Sequence, residues 1–261
     1  MEEQEKVETQ EQVQEPVKEK AVKPVKESFK EQEKEHLNVR VTSEKLYKRN
    51  VLTRSVMLIS VGSILLLSIL YGILYIINNT GNFTINLDPN LQANKNIFVS
   101  NSSDFSDTGL KFIADRLDYM DNISVKWLPD DLDKYEGPHN GNNYIAYTFF
   151  IKNGGSETTN YAASIDVVSV INNVDEAIRV RVYQNGEYTD YAKKSKSGEP
   201  EKNTTPFVND NQVMRISREG FGPDDVDRYT VVIWLEGDDP ECTNSILGGE
   251  MKMAMNIGED K

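Results

Sequence analysis

The stretch AIRVRVYQNGEYTDYA, Ala177 to Ala192, decides how this chain folds. Ile178, Val180 and Val182 alternate with Arg179 and Arg181, the period of two that sends successive side chains to opposite faces of a strand. Asn185-Gly186 follows, a pair that tolerates the positive φ angles of a tight turn, and a second run returns. The predicted unit is a β-hairpin, and comparable runs surround it. NYIAYTFFIKN (Asn143–Asn153) is dense in β-branched and aromatic residues and ends at Gly154-Gly155, so NYAASIDVVSVI (Asn160–Ile171) reads as its partner. QVMRIS, DRYTVVIWLEG and GEMKMAMNI read as three more strands, and in the last Met251, Met253, Met255 and Ile257 share a face. FTINL (Phe83–Leu87) reads as an early strand, and KFIADRLDYMDN (Lys111–Asn122) fits a short helix or a strand. Many short strands between Gly, Pro and Asn turns predict a mainly β fold, a jelly roll or β-sandwich over residues 96–258, and not a βαβ fold. Lys193–Pro206 is predicted as a long, polar, mobile loop.

Upstream the pattern changes. SVMLISVGSILLLSILYGILYII (Ser55–Ile77) holds 23 residues without a charge. At 1.5 Å per residue that is roughly 34 Å, enough to cross the hydrocarbon core of a bilayer. The charged segment before it is too long for a secretory signal and no small-x-small site follows, so a retained transmembrane helix over 54–77 is predicted. Lys45, Lys48, Arg49 and Arg54 precede it, and no Lys or Arg follows until Lys95. That bias places the N-terminus in the cytoplasm, the helix in the plasma membrane and the C-terminal domain outside. No ionisable group lies within the span, so it reads as an anchor and not a transport path. Residues 1–50, rich in Glu, Lys, Gln and Val, read as a disordered cytoplasmic tail, and 78–95 as a linker.

Charge divides along the same lines. The first 53 residues hold 12 Glu and 11 Lys or Arg, whereas the chain from Asn78 on holds 30 acidic and 17 basic residues, the whole of the net −13. So acidic a domain excludes nucleic acid as a partner, because phosphate affinity comes from Lys and Arg. The one cysteine, Cys242, rules out an intramolecular disulfide, so the outer domain must rest on its own core.

Little in the chain reads as catalysis. The two histidines are His36 in the tail and His139 in a Gly/Pro/Asn loop, and H-E-x-x-H, a cysteine pair and G-x-S-x-G are all missing. A triad would have to use His139, as would Cys242 acting as a nucleophile. No catalytic residue is assigned. Three acidic loops remain: Asp130, Asp131 and Asp133; Asp224, Asp225 and Asp227; and Asp238, Asp239 and Glu241. Carboxylates on irregular loops suit calcium, so Asp238, Asp239 and Glu241 are the candidate calcium ligands, and no other cofactor is expected. The same residues also read as a plain connector, with Asp239 capping a short helix, Pro240 in its first turn, Ile246 and Leu247 tucked inward and Gly248 ending it. Asn-x-Ser/Thr sequons stand at Asn78, Asn82, Asn101, Asn122 and Asn203.

The pattern W-L-E-G-x-D-P-E-C-T-N-x-I-x-G-G before a closing strand resembles the C-terminal part of the camelysin/TasA-like (SipW-dependent-type) extracellular proteins of Gram-positive bacteria. YTFFIKN and DEAIRVRVYQNG upstream are similar to related extracellular proteins. The resemblance covers Asn143–Ile257 and implies a jelly roll with a role in the cell envelope or in matrix fibres. Some members carry a metallopeptidase label. The family's export signal is usually removed, whereas a 54-residue charged tail and a retained helix stand here. The function expected is that of a membrane-anchored envelope protein displaying a non-catalytic sandwich. Its partners would be the lipid bilayer through residues 55–77 and either its own copies or another envelope protein. An anchored peptidase of the camelysin type and a transmembrane scaffold or sensor are the alternatives.

Overall fold

The computed structural model describes residues 25–79 and 81–260, with side chains over 42–75 and 81–260. The chain separates into two compact units, divided between Gly72 and Ile73.

The first unit is dominated by α1 (Val25–Asn79). Within it Thr42–Tyr75 is long and apolar enough to cross a membrane, and none of its most apolar window is buried against the rest of the protein. A stripe-less apolar helix with no protein partner is what a bilayer accommodates. Two of its hydroxyls are satisfied locally: Ser60 donates to the Val56 carbonyl and Ser68 to that of Ile64, each at 2.8 Å. Four-residue back-bonding of this kind removes the cost of a polar group in hydrocarbon. Of the tail read as disordered, residues 1–24 lie outside the described residues. From Val25 the backbone is already helical. The stretch after Pro24 up to the apolar span has no proline and is rich in Glu, Lys and Arg, good helix formers, and extension from an existing helix needs no new nucleus.

The second unit is mainly β. In chain order it holds β1 (Phe83–Leu87), α2 (Pro89–Lys95), β2 (Ile97–Ser100), β3 (Lys111–Ile113), β4 (Gly137–Pro138), β5 (Tyr144–Asn153), β6 (Thr159–Ile171), β7 (Ile178–Gln184), β8 (Glu187–Ala192), β9 (Thr205–Pro206), β10 (Gln212–Phe221), β11 (Val226–Leu235) and β12 (Glu250–Gly258). One sheet runs β10-β6-β12-β1-β3. The other runs β2-β5-β11-β7-β8-β9, with β4 also on β5. The inner faces meet in one core: Phe83, Ile85, Tyr161, Met253 and Met255 from the first sheet, Phe149, Ile151, Val180, Val231 and Ile233 from the second. Two layers closing over one apolar core make a β-sandwich.

The β7–β8 hairpin forms as its residues require, with Asn185 and Gly186 at φ 54° and 93°. Met251, Met253, Met255 and Ile257 all face the core from β12. Two expectations change. The linker read over 78–95 gives way at Phe83 to the early strand read there, Phe83–Leu87, which forms as β1, pairs in parallel with β12 and buries Phe83, Ile85 and Leu87, and α2 follows it. And β6 is not the hairpin partner of β5: it pairs with β10 and β12 in the opposite sheet. Gly154-Gly155 is therefore a crossover. The Asn153 side chain ties it down, donating to the Glu157 and Phe221 carbonyls and accepting from the Gly155 N–H, at 2.8–2.9 Å.

Candidate functional site: a groove on the outer face of the second sheet

Strict alternation would leave Arg179 and Arg181 in water, opposite Val180 and Val182. Both are buried. The connector after β3 folds over this face, and Ile123, Leu128 and Leu132 pack with Ala146, Tyr183, Val232 and Trp234 into a second apolar cluster. The second sheet is thus covered on both faces at that end, which explains the near-continuous apolar runs YIAYTFFI and TVVIWL.

Beside this cover lies a groove of about 760 Å³, lined among others by Arg179, Arg181, Tyr188, Glu201, Trp234 and Asp239. Trp234 and Arg179 are paired neighbours on β11 and β7, which places both at the groove floor. The Trp234 indole N–H donates to Glu236 Oε2 at 3.0 Å, and the same oxygen accepts the Val125 N–H at 3.0 Å. Glu236 Oε1 takes the Asp238 N–H at 3.2 Å. This buried carboxylate is a backbone staple for the connector. Arg181 forms a two-pronged pair with Asp190 at 2.6 and 2.9 Å, and its guanidinium lies 4.0 Å from the Tyr188 ring centre. Burial acts to lower its pKa, but the bonds from Asp190 outweigh it and keep the group charged, above its ordinary value.

Arg179 pairs with the fully buried Asp239 carboxylate and stands 3.5 Å from Glu201. Burial first, then Asp239, pushes the Glu201 carboxyl above the usual range, against the pull of Arg179. Glu201 belongs to the 193–206 loop, so the loop read as mobile is pinned here by an ion pair. Glu201, Asp239 and Glu241 each offer an oxygen within 4.8 Å of the others. Two of the three candidate calcium ligands, Asp239 and Glu241, are thus brought together, joined by Glu201. The third is not: Asp238 is exposed and accepts from Ser124 Oγ at 2.8 Å. Both Asp239 oxygens are engaged, one by Arg179 and the other by the Glu241 N–H at 2.7 Å. Arg179 already supplies this cluster with a cation. Glu241 Oε2 remains buried without a hydrogen-bond partner. Glu201 was not visible in the sequence, since no spacing rule relates it to a motif 38 residues downstream.

The helix predicted after Pro240 is only a 3₁₀ turn, Asn244–Ile246, headed by Thr243, with no cap from Asp239. Asp239 is held by Arg179 instead. Ile246 is buried as expected, but Leu247 is 70 % exposed. Gly248 takes the left-handed conformation, φ 69°.

Other candidate groups have structural partners. Burial, then Asp239 and Glu236, raises the Cys242 thiol pKa, the opposite of nucleophile activation. The two His139 nitrogens face the Gly137 and Leu132 carbonyls at 2.8 and 3.0 Å, so the ring fastens a loop. In the Asp224–Asp227 loop, Asp225 accepts from the Gly222 N–H and Asp224 pairs with Lys152. The side chain of Asp227 turns inward to the core end, where Tyr161, Arg218 and Asn185 donate to it. In the Asp130–Asp133 loop, Asp131 accepts from the Tyr135 hydroxyl at 3.5 Å.

No protein-family model and no curated protein matches the chain. Among solved structures, a β-glucosidase from Kluyveromyces marxianus in complex with glucose aligns with 63% of this chain and 15% of its own, at 12% identity and a TM-score of 0.23. A selenomethionine-labelled structure of that enzyme aligns with 63% of this chain and 16% of its own, at 11% identity and a TM-score of 0.24. The chain spans about a sixth of the length of these structures, and likenesses this distant carry no argument about fold or activity.

Proposed function

We propose that this chain is a single-pass membrane protein of the cell envelope. Its tail lies in the cytoplasm, α1 in the plasma membrane, and the sandwich outside, where it binds or assembles without catalysing a reaction. The observation that carries the reading is α1, an apolar helix unburied by protein, joined to a β domain with a closed core of its own. The basic residues Lys45, Lys48, Arg49 and Arg54 before the span support the orientation. The likeness of residues 143–257 to camelysin/TasA-like proteins supports a jelly-roll winding and an envelope role. The groove supports binding over acid–base chemistry, because Asp190, Glu236 and Asp239 each hold a loop or a buried arginine.

The test is the mass of the purified chain in detergent micelles by light scattering, with and without millimolar calcium. Growth into oligomers is the outcome expected of an assembly module. A monomer under both conditions that also gains substrate-cleaving activity, lost in Glu201→Ala or Asp239→Ala, would replace this reading with the enzymatic one. One observation favours calcium as a bound ligand: the unpartnered, buried Glu241 Oε2 beside two further carboxylates. On that reading calcium raises the unfolding temperature of the wild-type chain and not that of Glu241→Gln.

A further inference from the structure

A second cavity, apart from the groove, opens at one end of the sandwich. It measures about 340 Å³ and is walled by Ile145, Ile178, Ile233 and Leu235 from one sheet and Met251 and Met253 from the other. These two facing walls are apolar. Charged groups line it from the strap, where Arg116 pairs with Asp118 at 3.4 Å, both half or more exposed, and from β12 at Glu250. The cover is the segment between β3 and Ile123. Leu117 and Met120 of this strap pack on the core, while Tyr119 is 84 % exposed. The strap is fixed at its ends, by Ala114 N–H to the Phe83 carbonyl and Ile123 N–H to that of Leu235, both 2.9 Å. Between them it has no strand or helix. Asn82, which also lines the cavity, follows α1 by three residues in sequence.

We infer that this cavity is a binding site for a single alkyl chain, with the polar head of the ligand left at the Arg116–Asp118 rim. A water-exposed pocket of this size with apolar facing walls falls within the range of small-molecule sites and gains with each methylene it removes from water. Methionine walls adapt to an unbranched chain, since the thioether side chain has three rotatable bonds and no fixed shape. The strap is held at its ends and also by Asn140, which donates to the Asp115 carbonyl at 2.7 Å, and by Asn143, which accepts the Asp121 N–H at 3.1 Å, so residues 117–120 between these ties supply the way in.

Such a chain reaches the cavity from water as a fatty acid or from a bilayer as the acyl tail of a phospholipid, and one experiment separates them. The full chain is reconstituted in phospholipid nanodiscs. In one arm dodecanoic acid carrying a terminal diazirine is added to the water. In the other the diazirine sits on the acyl tail of the bilayer phospholipid. After illumination the labelled residues are mapped by mass spectrometry. Label on cavity residues in either arm is the expected result, and the arm that gives it identifies the source. An excess of unlabelled dodecanoate, at about ten times the dissociation constant, cuts that label about tenfold, and Ile145→Trp, which fills the cavity, abolishes it. The competition needs no variant and so stands even if Ile145→Trp does not fold. No label on cavity residues in both arms, or label that the excess leaves unchanged, overturns the proposal. Label on α1 by the phospholipid probe is read separately, and its absence would overturn the membrane anchor without touching the cavity.

Discussion

The two ends of β11 close the sandwich in different ways. At its start Asp227 is buried and accepts from the Tyr161 hydroxyl at 2.7 Å, Arg218 Nε at 2.9 Å and Asn185 Nδ2 at 2.9 Å. Tyr161 and Arg218 come from the opposite sheet, so one carboxylate bolts the two layers together. The Tyr229 hydroxyl, 3.1 Å from that of Tyr161, has its pKa pushed up to about 12, chiefly by burial, and Tyr161 is pushed up further. Both phenols therefore stay neutral at neutral pH. At the other end the carboxylates of Glu236 and Asp239 serve the outer groove, and between the sheets Ile233 and Leu235 present only apolar side chains. They line an apolar cavity under a strap with no strand or helix. The comparison teaches where specificity is fixed and where room is left: the polar end sets how the sheets register, and the apolar end can yield to a ligand.

The largest effect should come from the polar end. Asp227→Ala leaves Tyr161 and Arg218 without their shared acceptor and should cost about 3–5 kcal/mol, read from denaturant unfolding. A loss below that of a surface substitution would show that the sheets are not bolted there. Next comes Gly249, on the rim of the open end. A Cβ at this position would lie 2.6 Å from Val174 Cβ and 2.8 Å from the Ile246 carbonyl oxygen. Gly249→Ala should therefore cost about 1–3 kcal/mol, because backbone must shift. If the variant is as stable as the wild type, the open end is softer than described.

Leu117→Ala should be milder, about 1 kcal/mol, since the side chain is only partly buried on the strap and water can refill the space. Native-state hydrogen exchange should show faster exchange across the strap and none at Asp227. The smallest effect concerns Glu201 on the outer groove. Its folded pKa is raised, so the favourable contribution is present below the unfolded value and is lost as pH rises through the folded one. Glu201→Gln should gain on the wild type as pH rises through the carboxylate range, compared by thermal unfolding in matched buffers. A variant that falls behind over that range would mean that the Arg179 pair outweighs burial.

The sequence disclosed what is local. Asn185-Gly186 and the alternation around it specified the β7–β8 hairpin, and the methionine spacing specified the buried face of β12, because both follow from period-two geometry. The pairing of β5 was misread since Gly154-Gly155 looks like a hairpin turn whether or not the chain changes sheets. What decides is Asn153 reaching the Phe221 carbonyl, a contact far along the chain. The double-faced burial of the second sheet could have been read from YIAYTFFI and TVVIWL, which do not alternate. Arg179 and Arg181 argued against it until their partners Asp239 and Asp190 were in place. The site itself was half legible. Asp239 and Glu241 stood in one motif, but Glu201 reaches them only through the fold, and Asp238 beside them turns away.

The central claim is that α1 carries the sandwich outside a membrane, and it is tested most directly by reaching each side of the chain from without. In a Cys242→Ser background, Ser28→Cys reports the tail and Ser197→Cys the exposed loop of the sandwich, each challenged with a membrane-impermeant maleimide in intact cells and after lysis. The loop cysteine should label in intact cells and the tail cysteine only after lysis. The reverse pattern, or labelling of both only after lysis, would contradict the account.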